Sequence, residues 1–498
     1  NELLIYFSLI FFLFFVFKTL YLLCTSFLQE KFTYGLINKL SLMLYNNYLN
    51  QPMIYHIEQN SSSIIKNIMI ELKNLQILML TPFIVLISET LLLFSLSIVL
   101  IYVDHKAFIL ISLTLLGFFF VYYILVKNKI KHWGAKRIKA DDLKIKNVQE
   151  TFTSIKEIKI YRAEKFFLEK FKEFNFQSSI YGRLQSWFEN IPKLMIDLAA
   201  IVALLFFIFF TFKFNNGLDL FITKVGLFGF AFFRMLPAIN RILIASQNFR
   251  FAIPFFDNIY KEFKNSQKNN ISKKVKYLND KLESIKFSNV EFSYSNNKVL
   301  ENINLSINKG MPIGIIGKSG SGKTTLVNLS LGLITPTNGN IYFNNKEKDL
   351  SVFLPKIGYV TQNINLINDT VIKNIAYGID EKKIDYKKVQ SLLIDLDLKN
   401  FINELDKNIS NLIGEKGSKL SGGQLQRIAI ARALYFEPEI LILDEATSSL
   451  DDETEKKILQ LIKKYISQSL TIIISHKKDT LKYCSTIYKL EDNHLIKI

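Results

Sequence analysis

The chain has 498 residues, about three domain-sized units by length, with 49% apolar residues, 43 Phe and a mean hydropathy of +0.19, yet 21% of its residues are charged. That combination excludes a disordered chain and fits poorly with one wholly solvated by water, so one part is expected in lipid and another in water. The net charge of +18 admits nucleic acid, an anionic membrane surface or an anionic ligand, while the two cysteines, Cys24 and Cys484, exclude a disulfide scaffold and lack neighbours for a zinc site.

Five apolar blocks occupy the first half. They are residues 3–28, broken by Lys18; 77–103, interrupted by Pro82 and Glu89; 107–126, without any charge; 194–212, containing Asp197; and 220–245, containing Lys224, Arg234, Pro237 and Arg241. The third alone has the length of a spanning helix. Five such blocks point to a membrane domain rather than to buried helices of a soluble core. The basic stretch 127–146, with Lys127, Lys129, Lys131, Lys136 and Arg137 among its cations, is expected in the cytoplasm. The connectors 104–106 and 213–219 are short and nearly balanced in charge, fitting the outer side. Residues 30–76 and everything past Arg250 then fall inside, and the first block starts outside. Five spans with an outer start, opening on Asn1 rather than a methionine, imply a further spanning helix and loop upstream of this sequence.

Residues 265–280, NSQKNNISKKVKYLND, are polar and without apolar periodicity, as in a linker. The expected division is a membrane domain at 1–264, a linker at 265–282 and a second domain at 283–498. In that domain short β-branched runs alternate with helical patterns, as in an α/β fold. Candidate parallel strands lie at 313–316, 357–360, 440–443 and 471–474.

Gly317, Lys318, Ser319, Gly320, Ser321, Gly322, Lys323 and Thr324 form a P-loop pattern between a strand-like and a helix-like run. Glycines let backbone N–H groups turn inward around phosphates, and the following helix start adds positive potential. Lys323 is expected on the β- and γ-phosphates and Thr324 on magnesium. The run 440–443 ends in Asp444, placed to hold magnesium, and Glu445, placed to polarise an attacking water.

Leu420-Ser421-Gly422-Gly423-Gln424 narrows the class. With it the chain resembles the ATP-binding cassette family, the motifs following in order through the second half. The resemblance implies an α-helical transmembrane domain of exporter type, five of its six spans present, fused to an α/β P-loop cassette that hydrolyses ATP with Mg2+. It further implies that Tyr294 stacks on adenine, and that Gln362 senses the γ-phosphate and reaches the metal. Thr325 joins the P-loop residues at ATP, as do Ser421, Gly422, Gly423 and Gln424 from the opposing cassette. His476 is implied as the γ-phosphate switch, and Ser449 and Asp451 as dimer contacts. One cassette per chain implies a homodimer with two competent sites. Residues 411–417, NLIGEKG, resemble the loop that touches the membrane domain, and 45–60 and 155–172 fall where the family places coupling helices. Soluble cassette ATPases of DNA repair share the signature but lack the apolar blocks, so no nucleic-acid partner is expected.

Substrate is argued from the cations inside the spans, each of which costs about 2.5–3.5 kcal/mol near the bilayer centre. Arg234 and Arg241 are two turns apart on one face. With Lys18 and Lys193 they compose a candidate cationic belt for a phosphate or pyrophosphate group. Against this, Lys193 is spaced to pair with Asp197, and Lys18, Lys193 and Arg241 near span ends can snorkel. The stretch from Phe233 to Ile242, FRMLPAINRI, resembles the last membrane helix of the bacterial flippases for lipid-linked oligosaccharides in protein N-glycosylation. That resemblance implies a polyprenyl-pyrophosphate glycan moved from the cytoplasmic to the outer leaflet of a bacterial inner membrane, with Lys18 and Lys193 standing where that family carries arginine. Exporters of other lipids, drugs or peptides, and an ATP-gated channel, are the alternatives.

Overall fold

The computed structural model describes residues 2–214, 218–269, 281–295, 297–346, 356–398, 413–414 and 417–498. Of the expected features, 215–217 in the second outer connector, the linker core 270–280, and 411, 412, 415 and 416 of the NLIGEKG loop lie outside the described residues. The chain divides into two compact units, Asn1–Ile271 and Ser272–Ile498.

The first unit is helical. Its long helices are α1 (Glu2–Leu49), α5 (Thr81–Thr153), α7 (Glu164–Phe214) and α8 (Leu218–Asn269), with short helices α2 (Met53–Glu58), α3 (Ser61–Lys66), α4 (Leu72–Leu75) and α6 (Ile155–Tyr161). All five apolar blocks fall on helix. In α1, Phe7, Phe11, Phe12 and Phe17 are exposed, and only Thr33, Leu44 and Tyr48 are buried. A helix apolar on every side requires an apolar solvent, because nothing in water would hold it. Among the described residues four helical stretches are long and apolar enough to cross a membrane: Glu2–Leu49, Ser61–Lys106, Glu164–Phe209 and Gly226–Asn265. The block 107–126 continues as helix within α5, although most of its side chains lie outside the described residues.

The connector expected at 104–106 coincides with a break in α5. Asp104 leaves the helical region (φ −158°, ψ 97°), and its Oδ1 accepts a hydrogen bond from Lys106 N at 3.2 Å. An aspartate closing such a turn over its own backbone competes with the helical ladder. On the other side of that break α5 packs tightly on α8: a Cβ added at Gly134 would sit 2.5 Å from the Phe251 carbonyl oxygen. Leu44, Leu72, Ile130, Leu243, Phe251 and Phe255 form one apolar core, and Leu100, Ala203, Phe207, Phe228 and Phe232 another. Two π-helical turns, Asn67–Glu71 and Gln76–Leu80, interrupt the lead into α5. There Lys66, 2% exposed, pairs with Glu71 at 3.0 Å and with Asp142 at 2.5 Å.

The second unit contains two sheets. An antiparallel sheet in the order β2–β1–β4 comprises β1 (Ser284–Tyr294), β2 (Asn297–Asn308) and β4 (Asn338–Phe343). The other has six strands in the order β5–β6–β7–β3–β8–β9: β3 (Ile313–Ile316), β5 (Ile357–Val360), β6 (Ile440–Asp444), β7 (Leu470–Ile474), β8 (Thr486–Glu491) and β9 (His494–Lys497). It is parallel through β8, with β9 antiparallel. The four candidate strands are thus neighbours, and β6 and β7 are buried along their whole length, as expected of a sheet covered on both faces. Helices α9 (Lys323–Ser330), α10 (Val371–Ile375), α11 (Tyr386–Asp395), α12 (Gly422–Tyr435), α13 (Asp452–Ile466) and α14 (Lys478–Leu481) complete the unit among the described residues.

Candidate functional site

The candidate residues converge because each follows a strand of one parallel sheet. The glycine-rich loop leaves β3, Gln362 follows β5, Asp444 ends β6, and His476 follows β7. In an open parallel sheet the carboxyl ends of the strands form the crevice where ligands bind.

The loop's glycines are there for distinct reasons. Gly320 and Gly322 adopt φ of +80° and +101°, and a Cβ at Gly317 would lie 2.6 Å from the Leu490 carbonyl oxygen. Gly322 also lies against Val299 and Leu300 of β2, which brings the β1–β2 hairpin beside the loop. Tyr294, at the end of that hairpin, packs edge-on against Phe292 at 4.8 Å. Gly322 caps α9, so Lys323, Thr324 and Thr325 form its first turn. Lys323 Nζ donates to the carbonyl oxygens of Gly317 (2.6 Å) and Lys318 (2.9 Å), which holds its ammonium inside the curl of the loop. Ser321 Oγ is buried there without a hydrogen-bond partner among the described residues. A hydroxyl orphaned beside an ammonium and a helix start fits an anionic oxygen ligand.

Asp444 is 7% exposed. Burial first, and then the charge of Glu445, push its carboxyl above the usual range, with Lys323 opposing them. The Asp444 carboxylate, which feels the charge of Lys323, and the hydroxyl of the exposed Thr324 that follows Lys323 are hard oxygen donors of the kind that fits Mg2+. Glu445 adopts φ +53°, its N–H donating to the Ile474 carbonyl at 2.9 Å. Its Oε2 accepts from Gln362 Nε2 at 3.0 Å, and His476 Nε2 lies 3.8 Å from Oε1. Two side chains, each following a different strand, therefore meet at the carboxylate of Glu445, which follows a third.

The signature residues have separate tasks within the chain. Ser421 caps α12: its Oγ accepts from Gln424 N (3.3 Å), and Gln424 Oε1 accepts from Ser421 N (2.9 Å). Gln424, expected at ATP, thus spends its side-chain oxygen on this capping box. At Gly422 and Gly423 an added Cβ would come no closer than 3.5 and 3.4 Å to Ser449, so packing inside the chain does not demand glycine there. Asp451, expected at a dimer contact, caps α13 by accepting from Thr454 N at 3.0 Å.

Sequence reasoning missed Gln426, Glu455 and Lys477. Glu455 accepts from Thr447 Oγ1 (2.8 Å), Thr480 Oγ1 (3.0 Å) and Lys477 Nζ (2.7 Å), and so ties the loop after β6 to the turn after β7. A carboxylate in helical register with Ile458, Leu459 and Ile462 was the available signal, as was Gln426 in register with Ile430 and Ala433.

The four candidate substrate cations lie on three helices: Lys18 on α1, Lys193 on α7, and Arg234 and Arg241 on α8. All four are exposed. Lys18 Nζ lies 5.0 Å from the Phe15 ring, and Lys193 does not pair with Asp197 among the described residues. Arg241 differs from expectation. It forms a two-pronged ion pair with Glu89 of α5, Nε to Oε1 at 2.7 Å and a terminal nitrogen to Oε2 at 3.2 Å, so its charge is already matched by a carboxylate from the second apolar block.

Residues 300–448 match the family model described as ABC transporter, and residues 1–236 match that of the ABC transporter transmembrane region. An ATP-dependent lipid A-core flippase of Wigglesworthia glossinidia brevipalpis is 30% identical over 91% of this chain and 78% of its own length. The chain belongs to the ABC transporters. A second lipid A-core flippase, from Cupriavidus metallidurans, is 25% identical over 95% of this chain and 80% of its own length. A putative export ATP-binding/permease protein of Rickettsia typhi is 39% identical, but over 43% of this ABC transporter chain and 38% of the relative's length. The solved structure of a bacterial Atm1-family ABC exporter with ATP bound covers 94% of this chain and 82% of its own at a TM-score of 0.78 and 20% identity, so the fold is that of an ABC exporter: a helical transmembrane domain joined to a cassette.

Proposed function

We propose that this chain is one half of a homodimeric, ATP-hydrolysing lipid flippase of a bacterial inner membrane, with its cassette in the cytoplasm. Residues 1–264 form the membrane domain, 265–282 the linker and 283–498 the cassette. What carries the reading is the meeting of Gln362, Glu445 and His476 beside the glycine-rich loop, in a chain whose other unit matches the transmembrane region of transporters.

In this reading Tyr294 stacks on adenine, and Gly317, Lys318, Ser319, Gly320, Ser321, Gly322, Lys323, Thr324 and Thr325 bind the phosphates. Thr324, Asp444 and Gln362 hold Mg2+, whose charge neutralises the phosphate oxygens when it is bound. Glu445 accepts a proton from the attacking water, while Gln362 holds the carboxylate from one side and His476 stands on the other. Ser421, Gly422 and Gly423 face the nucleotide of the second chain, with Ser449 and Asp451 at the chain contact. Helices α2 and α6, short and placed between long ones, are the coupling elements.

The substrate reading is a polyprenyl-pyrophosphate-linked oligosaccharide, held at its pyrophosphate by Arg234, Lys18 and Lys193, with Arg241 joining when Glu89 releases it. The pair Arg241–Glu89 favours a second reading, in which Arg241 is structural and the cargo is another lipid, as the names of the flippase relatives suggest. ATPase stimulation in proteoliposomes of the full-length chain separates the two. Stimulation by a polyprenyl-pyrophosphate glycan that disappears in Arg234→Ala supports the first. Stimulation by a lipid A glycolipid alone, unchanged in Arg234→Ala, supports the second.

A further inference from the structure

Gln426 is 5% exposed, and its amide makes three hydrogen bonds across an otherwise apolar face of α12. Nε2 donates to Ser448 Oγ at 2.8 Å and to the carbonyl oxygen of Glu445 at 3.3 Å, while Oε1 accepts from Ser449 N at 2.9 Å. Every contact goes to the segment 445–449, which begins at the carboxylate met by Gln362 and His476. That segment starts strained, with Glu445 at φ +53°, so its conformation has to be imposed by its surroundings.

The same helix opens one turn earlier at Ser421, and its first glycines rest against Ser449. The α12 start and the backbone that aims Glu445 are therefore joined through one buried side chain. A helix transmits a shift along its axis as a rigid element, and an amide with both ends bonded follows it.

We propose that Gln426 is a positioning residue that couples the exposed start of α12 to Glu445. Engagement of Ser421–Gly423 by the nucleotide of the second chain is read by Gln426 and sets the carboxylate of this chain's own site. Hydrolysis at the two sites is thereby cooperative. The proposal rests on the ATPase reading above and adds to it a route of communication between the two sites.

The test measures hydrolysis against ATP concentration in proteoliposomes of the full-length chain, with ATP affinity measured separately in the Glu445→Gln background. Gln426→Glu keeps the size and the acceptor for Ser449 N but turns an oxygen toward the Glu445 carbonyl; Gln426→Leu removes all three bonds. The expected result is a fall in kcat of up to about 100-fold, the scale of a small misplacement of a reacting group. ATP affinity stays within about twofold, the mark of a loss confined to the transition state. The Hill coefficient falls from near about 2 toward 1, since two coupled sites set the upper limit. Ser448→Ala, which removes only the Oγ met by Nε2, gives the same kcat-selective loss in smaller measure and carries the test if either Gln426 variant fails to fold. Wild-type kcat and Hill coefficient in these variants overturn the proposal, and so do equal losses in kcat and affinity. A wild type that hydrolyses no ATP overturns the ATPase reading itself, a different failure.

Discussion

At the scale of single residues, the site turns on Glu445, whose carboxylate accepts from Gln362 and lies 3.8 Å from His476, residues far apart in sequence, whereas the loop 317–324 is one continuous run. The glycine-rich loop announces itself through Gly317, Gly320 and Gly322, and each meets a separate backbone demand in the fold. Gln426 was not legible, because an amide within an apolar stripe has meaning only once the loop it binds is in view. For Glu445, replacement by Gln keeps the hydrogen-bonding shape but removes the proton acceptor; kcat is expected to fall by about 10²- to 10⁴-fold with ATP binding retained, measured by phosphate release and nucleotide binding. Asp444 gives a pH signature. Its carboxyl is raised above the ordinary 3.8 by burial and by Glu445, so the folded chain holds that proton more tightly than the unfolded one. The contribution of Asp444 to stability is therefore fully present below that ordinary value and is lost as pH climbs through the raised one, so that it is gone at neutral pH. Thermal unfolding of Asp444→Asn at neutral pH is expected at or above the wild-type temperature, with the difference vanishing in acid. Added Mg2+ raises the wild-type midpoint and leaves that of the Asn variant unchanged.

At the scale of elements, the fully buried strands β6 and β7 were legible as continuous β-branched runs, and the long helices as apolar blocks. The antiparallel sheet was harder to read. β1 alternates Ile285, Phe287, Val290 and Phe292, but its pairing with β2 shifts register between Phe287 and Val290, where Asn289 adopts φ +48°. That bulge breaks the period of two on which strand reading depends. In the helical unit the Arg241–Glu89 pair joins residues 152 apart in sequence, beyond the reach of any local pattern. The contact of α5 with α8 is equally non-local, yet it leaves a trace in Gly134, where helix backbones approach closely. Gly134→Ala would press a methyl against the Phe251 carbonyl, and overpacking of that kind costs about 1–3 kcal/mol. A lower unfolding midpoint in detergent, with the cassette's ATP affinity unchanged, is the expected outcome. A midpoint equal to wild type would mean that the two helices separate freely.

At the scale of the whole molecule, the charge of +18 acquires places rather than a single purpose. The basic stretch 127–146 follows directly on the charge-free block 107–126, the arrangement expected of a span that ends on the cytoplasmic side. The cations within apolar helices are few, and one of them, Arg241, already has its counter-ion. An apolar helical unit joined to a phosphate-binding unit makes sense when the cycle of one does work on the other, and the ABC transporter family is built on that pairing. The most direct measurement is ATP-dependent movement of a polyprenyl-pyrophosphate-linked oligosaccharide across proteoliposomes carrying the full-length chain, wild type beside Glu445→Gln. Translocation by the wild type that stops in Glu445→Gln is the expected result. Translocation that persists in Glu445→Gln, or that proceeds in the wild type without ATP, would contradict the account.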